Sequence, residues 1–405
     1  MPKRVLLSDD HDETRALKRR AREPDGYELR ELGSAAGLEK AVAEFSPDLV
    51  VTDILMPCGD GISACKRLRA APATADLAFI FVSAKGFDAD QREALAAGGA
   101  AYLMTPFRPE TLREVVRETL TDKIAVRVWG CRGPISVPEA AAGKYGGNTP
   151  CVEVVLPGRR RLIFDAGTGI LLLGNRLVAQ SLSKLAICFT HYHGDHTQGL
   201  PFFKPLYVPG NVVEIYGPAD SSESLTKKIK GEMGGDYFPV SIEAFQASVD
   251  FVVVTERTFE MPGYSLSALY AFHPGRTVAY RVDLGGRSVV YASDNELPLA
   301  NLEPEFSGEA LRFAEFAAGT SLLIHDTTYS RSAYDQKRGW GHSCGEAVAA
   351  LAVQAEVGQV CLFHHDPDST DADIEAIHQE FVDACAARGA DILAAPATEG
   401  VTIEL

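Results

Sequence analysis

One stretch constrains this chain more than any other: Thr190-His191-Tyr192-His193-Gly194-Asp195-His196. It follows Leu185–Phe189, an apolar run that reads as a buried strand, and leads into Gly199-Leu200-Pro201. Three imidazoles and a carboxylate within six residues are costly to hold together unless a cation binds them. Neutral imidazole suits zinc, manganese or iron, and a carboxylate adds hardness and negative charge. At a strand end His191 and His193 alternate onto one side. Asp195 and His196 fall where the chain turns and can face a second ion. Such a site draws further ligands from other strand ends, and the sequence offers them. His273 follows Leu266–Phe272, Asp294 follows Val289–Ser293, and His364 and His365 follow Val360–Phe363.

The order of these motifs resembles the metallo-β-lactamase superfamily, over about residues 124–405. The resemblance implies an αββα sandwich and two divalent ions, zinc foremost, with manganese or iron as alternatives. His191, His193 and His273 would hold one ion. Asp195, His196 and His364 would hold the other, with Asp294 bridging; His364 aligns better than His365. Asp165, in Phe164-Asp-Ala-Gly-Thr-Gly169, is similar to the family's early aspartate, which supports the histidines instead of binding metal. Ser293-Asp294-Asn-Glu and Gly341-His342-Ser343 resemble motifs of the ribonuclease Z-like phosphodiesterase branch. There His342 would act as general acid or phosphate donor near the scissile bond, with Asp195 and Asp294 completing the catalytic group. Asp326 would orient His342, and His325 would be structural.

Residues 1–122 alternate strand and helix patterns, the mark of a doubly wound parallel sheet. Strand ends at Ser8-Asp9-Asp10, Asp53 and Ser83 bring carboxylates and a hydroxyl to one crevice, where magnesium is the natural guest. Asp53-Ile-Leu-Met-Pro-Cys-Gly-Asp-Gly61 resembles the phosphoacceptor segment of response-regulator receiver domains, a flavodoxin-like (CheY-like) fold. By that resemblance Asp9 and Asp10 bind magnesium, Asp53 is phosphorylated, Ser83 contacts the phosphoryl group and Tyr102 is the aromatic switch. A histidine kinase or another phosphodonor is the implied partner. Thr105-Pro106 departs from the family's Lys-Pro, removing a charge-assisted phosphate contact. Lys85 and Arg108 are the cations left nearby, so phosphorylation of Asp53 and a phosphate-independent receiver both stay open.

An amphipathic helix over 109–121 runs almost directly into a strand at 124–129, which favours a fixed or hinged pairing of domains 1–122 and 123–405. Further strands are expected near 152–156, 161–165, 185–189, 212–216, 250–255, 266–272, 278–283 and 287–292. Helix, strand, helix, strand, helix then follow to the C-terminus.

No apolar run approaches the ~20 residues that span a bilayer, so a membrane partner is not expected. The eight cysteines show no Cys-x-x-Cys pair, which favours reduced thiols in the cytoplasm. The net charge is −16. Residues 1–122 carry 17 basic and 21 acidic side chains and the remainder 22 and 34, so the second domain stands at −12. That excludes the broad basic field that long nucleic acid requires and favours a small phosphodiester such as a cyclic nucleotide. Basic clusters at Arg159–Arg161 and at Lys227, Lys228 and Lys230 read as solvated surface. Two other functions remain open: acyl-ester, thioester or lactone hydrolysis on the same fold, and a non-catalytic metal-binding signalling module. A homodimer through the receiver is a further expectation.

Overall fold

The computed structural model describes residues 2–11, 15, 26–56, 59–84, 88–138, 143–180, 184–234, 238–299 and 306–405. The N-terminal sheet contains β1 (Arg4–Ser8), β2 (Glu28–Leu32), β3 (Leu49–Asp53), β4 (Ala78–Ser83) and β5 (Ala101–Met104), all parallel in the order β2-β1-β3-β4-β5. Its inner strands are near-continuous apolar runs because both faces are covered. Leu38, Val42, Ile62 and Leu68 cover one face, and Leu112, Val115 and Val116 of helix Pro109–Leu120 cover the other. Strand β2 is absent from the sequence expectation. It is an edge strand, Glu-Leu-Arg-Glu-Leu, with charged residues along it and no apolar run to mark it.

Two seven-stranded sheets follow. The first contains β6 (Ala125–Gly130), β7 (Cys151–Leu156), β8 (Arg160–Phe164), β9 (Lys184–Cys188), β10 (Val212–Pro218) and β11 (Ser248–Val254). The second contains β12 (Arg257–Met261), β13 (Tyr264–Tyr270), β14 (Val278–Leu284), β15 (Arg287–Ala292), β16 (Leu322–Asp326), β17 (Gln359–Phe363) and β18 (Leu393–Pro396). The last strand, β19 (Thr402–Glu404), returns to pair antiparallel with β6, giving the orders β11-β10-β9-β8-β7-β6-β19 and β12-β13-β14-β15-β16-β17-β18. Strands β12, β18 and β19 lie outside the sequence expectation, which ended the chain on a helix. All three are short edge strands.

The sheets pack face to face over an apolar layer in which Phe164 stacks on Tyr280 and Tyr291. Helix Ile170–Ala179 covers the outer face of the first sheet, and helices Gly308–Ala317, Gly345–Gln354 and Asp371–Ala387 cover that of the second. This is the αββα sandwich.

The Arg159–Arg161 expectation fails. Arg159 and Arg161 are each only 2% exposed; Arg160 alone of the three is solvated. Arg127 and Glu153 lie opposite one another on β6 and β7, and helix Pro109–Leu120 lays Glu118 across them. Glu118 accepts from Arg127 Nη1 at 2.8 Å and Arg161 Nη2 at 2.6 Å, while Arg161 Nε donates to Glu153 at 2.6 Å. Burial forces these charges to pair. The receiver helix is therefore locked to the sandwich by an ionic layer. Lys227, Lys228 and Lys230 are exposed, in line with the sequence reading.

Candidate metal centre

Strands β8 and β9 are parallel, as are β15, β16 and β17, and β13 runs in the same sense as β15 across the antiparallel β14. Their carboxyl ends therefore fall at one edge of the sandwich. Asp165 leaves β8, His191 and His193 follow β9, His273 follows β13, Asp294 follows β15, Asp326 ends β16 and His364 follows β17. Asp195 and His196 ride on a short turn of helix, Gly194–Thr197. The backbone is bent hard here: Asp165 and His364, neither of them glycine, have φ of 60° and 63°.

Asp294 is the centre of the arrangement. Its Oδ1 lies 4.0 Å from His191 Nε2, 3.8 Å from His273 Nε2 and 3.5 Å from His364 Nε2, and its Oδ2 lies 3.0 Å from His196 Nε2. On one side His193 Nδ1 is 2.8 Å from His191 Nε2 and 3.2 Å from His273 Nε2. On the other, Asp195 Oδ2 is 3.2 Å from His196 Nε2 and 3.3 Å from His364 Nε2.

The outward ring nitrogens decide which atoms face inward. His196 Nδ1 donates to Asp165 Oδ2 at 2.8 Å, and His273 Nδ1 donates to Gly341 O at 2.9 Å. The Thr190 hydroxyl donates to the Asp165 carboxylate, so it accepts from His191 Nδ1 at 3.0 Å. The Thr328 hydroxyl donates to the oxygens of Asp326 or His364 and accepts from His364 Nδ1 at 3.1 Å. Four imidazoles are thereby fixed with Nε2 lone pairs converging on Asp294 and Asp195. Converging lone pairs repel unless a cation lies among them. His196 Nε2 and Asp294 Oδ2 are moreover buried without a hydrogen-bond partner. The donor set fits divalent ions.

Burial holds His191 well below the ordinary imidazole range and lowers His273, keeping both on the neutral side. At His196 burial is outweighed by Asp195, Asp294 and Asp165, which push it well above that range, an excess of negative charge that a divalent ion would meet. Burial opposes ionisation of Asp294, but the imidazoles facing it, His364 and His196 foremost, hold its carboxyl far below the ordinary range.

Beside this cluster His342 Nδ1 meets Asp326 Oδ2 at 2.6 Å, and its ring stacks on His364 with centroids 4.9 Å apart. Burial works against its charge, yet Asp326 pushes the imidazole up to about 9. His342 is not the cap of helix Gly345–Gln354; Cys344 is. His325 is buried between Asp326 O and Asn295, and His365 bonds Ala397 O, away from Asp294.

Several contributors have no role in the sequence reading, where Glu296 and Gly341 appear only as members of quoted motifs. Glu296 accepts from Tyr334 OH, Gly339 N and Gly341 N at 3.0, 2.9 and 2.8 Å, pinning the turn that carries His342. Gly341 has φ 90°, and a Cβ there would lie 2.3 Å from His273 Nδ1. A Cβ on Gly133 would lie 2.0 Å from His364 Nε2. Of Glu296, Gly341 and Gly133, only Gly133 carries no signal of the site in sequence.

In the receiver, the parallel register sets Ser8 beside Thr52, Asp53 beside Val82 and Ser83 beside Met104. Asp9, Asp53 and Ser83 thus sit at neighbouring strand ends, with Asp10 next to Asp9. Asp9 Oδ1 accepts from His11 N at 2.8 Å and Asp53 Oδ1 from Leu55 N at 3.1 Å. Thr105 N bonds Ser83 O at 2.9 Å, and Tyr102 is buried. Lys85 lies outside the described residues, and Arg108 is exposed.

Comparison with known proteins matches two separate parts of the chain. Residues 5–117 match the response regulator receiver domain family and residues 160–365 the beta-lactamase superfamily domain. The phosphate regulon transcriptional regulatory protein PhoB of Pseudomonas aeruginosa is 30% identical over 121 residues, 29% of this chain and 53% of that protein. The chain thus spans about half the length of such regulators. Ribonuclease Z of Thermoplasma acidophilum is 24% identical over 262 residues, 54% of this chain and 82% of that protein. The metallo-β-lactamase fold protein YhfI of Bacillus subtilis superposes with a TM-score of 0.53 at 18% identity, covering 70% of this chain and 100% of that one.

Proposed function

We propose, from the premise that this chain belongs to the β-lactamase superfamily and carries a response-regulator receiver domain ahead of that fold, that it is a two-component response regulator whose output is a dinuclear metal-dependent phosphodiesterase for small phosphodiesters such as cyclic nucleotides. The observation that carries the reading is Asp294, set between two converging donor groups with its Oδ2 unpartnered, beside a histidine held by its own carboxylate.

His191, His193 and His273 would hold one ion, Asp195, His196 and His364 the other, and Asp294 both; zinc suits this imidazole-rich set best. Bound ions of this kind supply Lewis acidity toward a phosphoryl oxygen and acidify water. The chain's own residues do the rest. Asp165 and the threonines at 190 and 328 keep the imidazoles in the binding tautomer. Asp326 holds the His342 ring through Nδ1 and keeps it charged, so that Nε2 can donate a proton to the departing oxygen. The ribonuclease Z relative supports phosphodiester over acyl chemistry. The charge of −12 on residues 123–405 favours a small substrate over a long nucleic acid.

In the receiver, Asp9 and Asp10 would bind magnesium and Asp53 would accept a phosphoryl group from a histidine kinase or a small phosphodonor. Among the described residues no helix is long and apolar enough to cross a membrane. The seven described cysteines are free and buried, which supports a reducing, cytoplasmic setting.

The test pairs metal analysis with hydrolysis of bis-p-nitrophenyl phosphate by wild type and Asp294→Ala. About two ions per chain, with turnover abolished in the variant, support the reading. Two ions with acyl-ester turnover but no phosphodiester turnover replace it with the acyl hydrolase. Metal without turnover of either ester leaves the signalling module.

A further inference from the structure

A cleft of about 480 Å³ lies between the receiver and the sandwich, away from the metal centre. Gly99 and Ala100 of the receiver line it together with Met261 and Tyr264 of the sandwich. The run Arg159–Arg161 and Lys184 line it as well, against a single carboxylate, Glu214. Arg160 and Lys184 are exposed.

Behind the cleft, the ionic layer is one negative charge short. Among the described residues Arg127, Arg159, Arg161 and Arg176 face only Glu114, Glu118 and Glu153. The deficit falls on Arg159. Its Nε reaches Glu118 only at 3.5 Å and its Nη1 donates to Ala100 O at 3.0 Å, while its buried Nη2 has no partner. Burial and the neighbouring Arg161 pull this guanidinium down to about 10. A buried cation short of a counter-charge leaves a net positive field, which an anion held nearby offsets. Guanidinium groups pair best with planar or tetrahedral oxyanions, and a phosphate dianion suits the two exposed cations of the cleft, Arg160 and Lys184, with Arg159 behind them.

We propose that this cleft binds a small phosphomonoester with a planar body, of the size of a nucleoside monophosphate. The phosphate sits on Arg160 and Lys184, in the field of the uncompensated Arg159 behind them, and the body lies against Tyr264. The volume falls within the range of small-molecule sites, about 300–1,000 Å³. Because Arg159 already grips Ala100, one residue before the strand that carries Tyr102, an occupant touches both domains and links ligand level to receiver state.

The experiment is calorimetric titration of the full-length, chelator-treated protein with AMP, adenosine and inorganic phosphate. Chelation removes metal-borne phosphate binding at the other site. AMP binds at about one per chain, adenosine does not bind at the same concentration, and inorganic phosphate binds more weakly than AMP. Arg160→Glu/Lys184→Glu, both solvated positions outside the buried layer, weakens AMP at least tenfold, and Tyr264→Ala weakens AMP but not inorganic phosphate. Absence of AMP binding at millimolar concentration overturns the proposal. So does AMP affinity unchanged in the double variant, or adenosine binding as tightly as AMP.

Discussion

Replacing Glu118 by Gln removes the carboxylate that joins the receiver helix to four arginines of the sandwich, Arg127, Arg159, Arg161 and Arg176. Glu118 is 3% exposed and lies 2.8 Å from Arg127, 2.6 Å from Arg161 and 3.5 Å from Arg159. Burial alone would raise its pKa, but Arg161, Arg159 and Arg127 hold it down from 4.5 to about 2. At ~1.36 kcal/mol per pH unit this displacement amounts to about 3 kcal/mol of stability at neutral pH. That agrees with the ~3–5 kcal/mol cost of breaking a buried ion pair by removing one partner. Because the folded pKa is depressed, the contribution is fully present above pH 4.5 and is lost as pH falls toward 2. The assay is urea unfolding of the full chain, followed by Trp129, whose indole donates to Glu153 in the same layer. Glu118→Gln should lose about 3 kcal/mol at pH 7, with the difference from wild type shrinking below pH 4.5. A difference under about 0.5 kcal/mol at pH 7, the level of an exposed pair, would refute the reasoning. A difference that grows on acidification would refute it equally.

Asp165→Asn should weaken metal affinity by about 10–100-fold while leaving all seven proposed ligands in place, read by competition with a chromogenic chelator. His342→Ala should lower kcat toward a phosphodiester by about 10²–10⁴-fold with metal content unchanged, and loss of metal in that variant would count against a proton-transfer role. Phe164→Ala, in the stack with Tyr280 and Tyr291, should cost about 3–5 kcal/mol by thermal or chemical unfolding. Asp53→Asn should abolish labelling by acetyl phosphate; no labelling of wild type from any donor would leave the receiver phosphate-independent.

Much of this molecule is written locally. Many inner strands are apolar runs, such as Val5-Leu6-Leu7 and Ala186-Ile187-Cys188, because strands buried on both faces need no polar alternation. Asp294 and the six acidic and imidazole groups around it were legible because they lie at or just beyond the ends of such runs, and strand ends are where a buried chain must surface. The edge strands Glu28–Leu32, Arg257–Met261, Leu393–Pro396 and Thr402–Glu404 were not, since half of each is open to water and no hydrophobic pattern is imposed on it. Nor could the sequence tell which nitrogen of each histidine faces inward. Hydroxyls and carboxylates distant along the chain decide that, as Asp165 does for His196 thirty-one residues away. Charge is the sharpest case. Arg159 and Arg161 look like solvated surface until Glu118, forty-one and forty-three residues away, is laid over them. Composition counts charges; only the packed structure determines which of them lose water and must therefore find a partner.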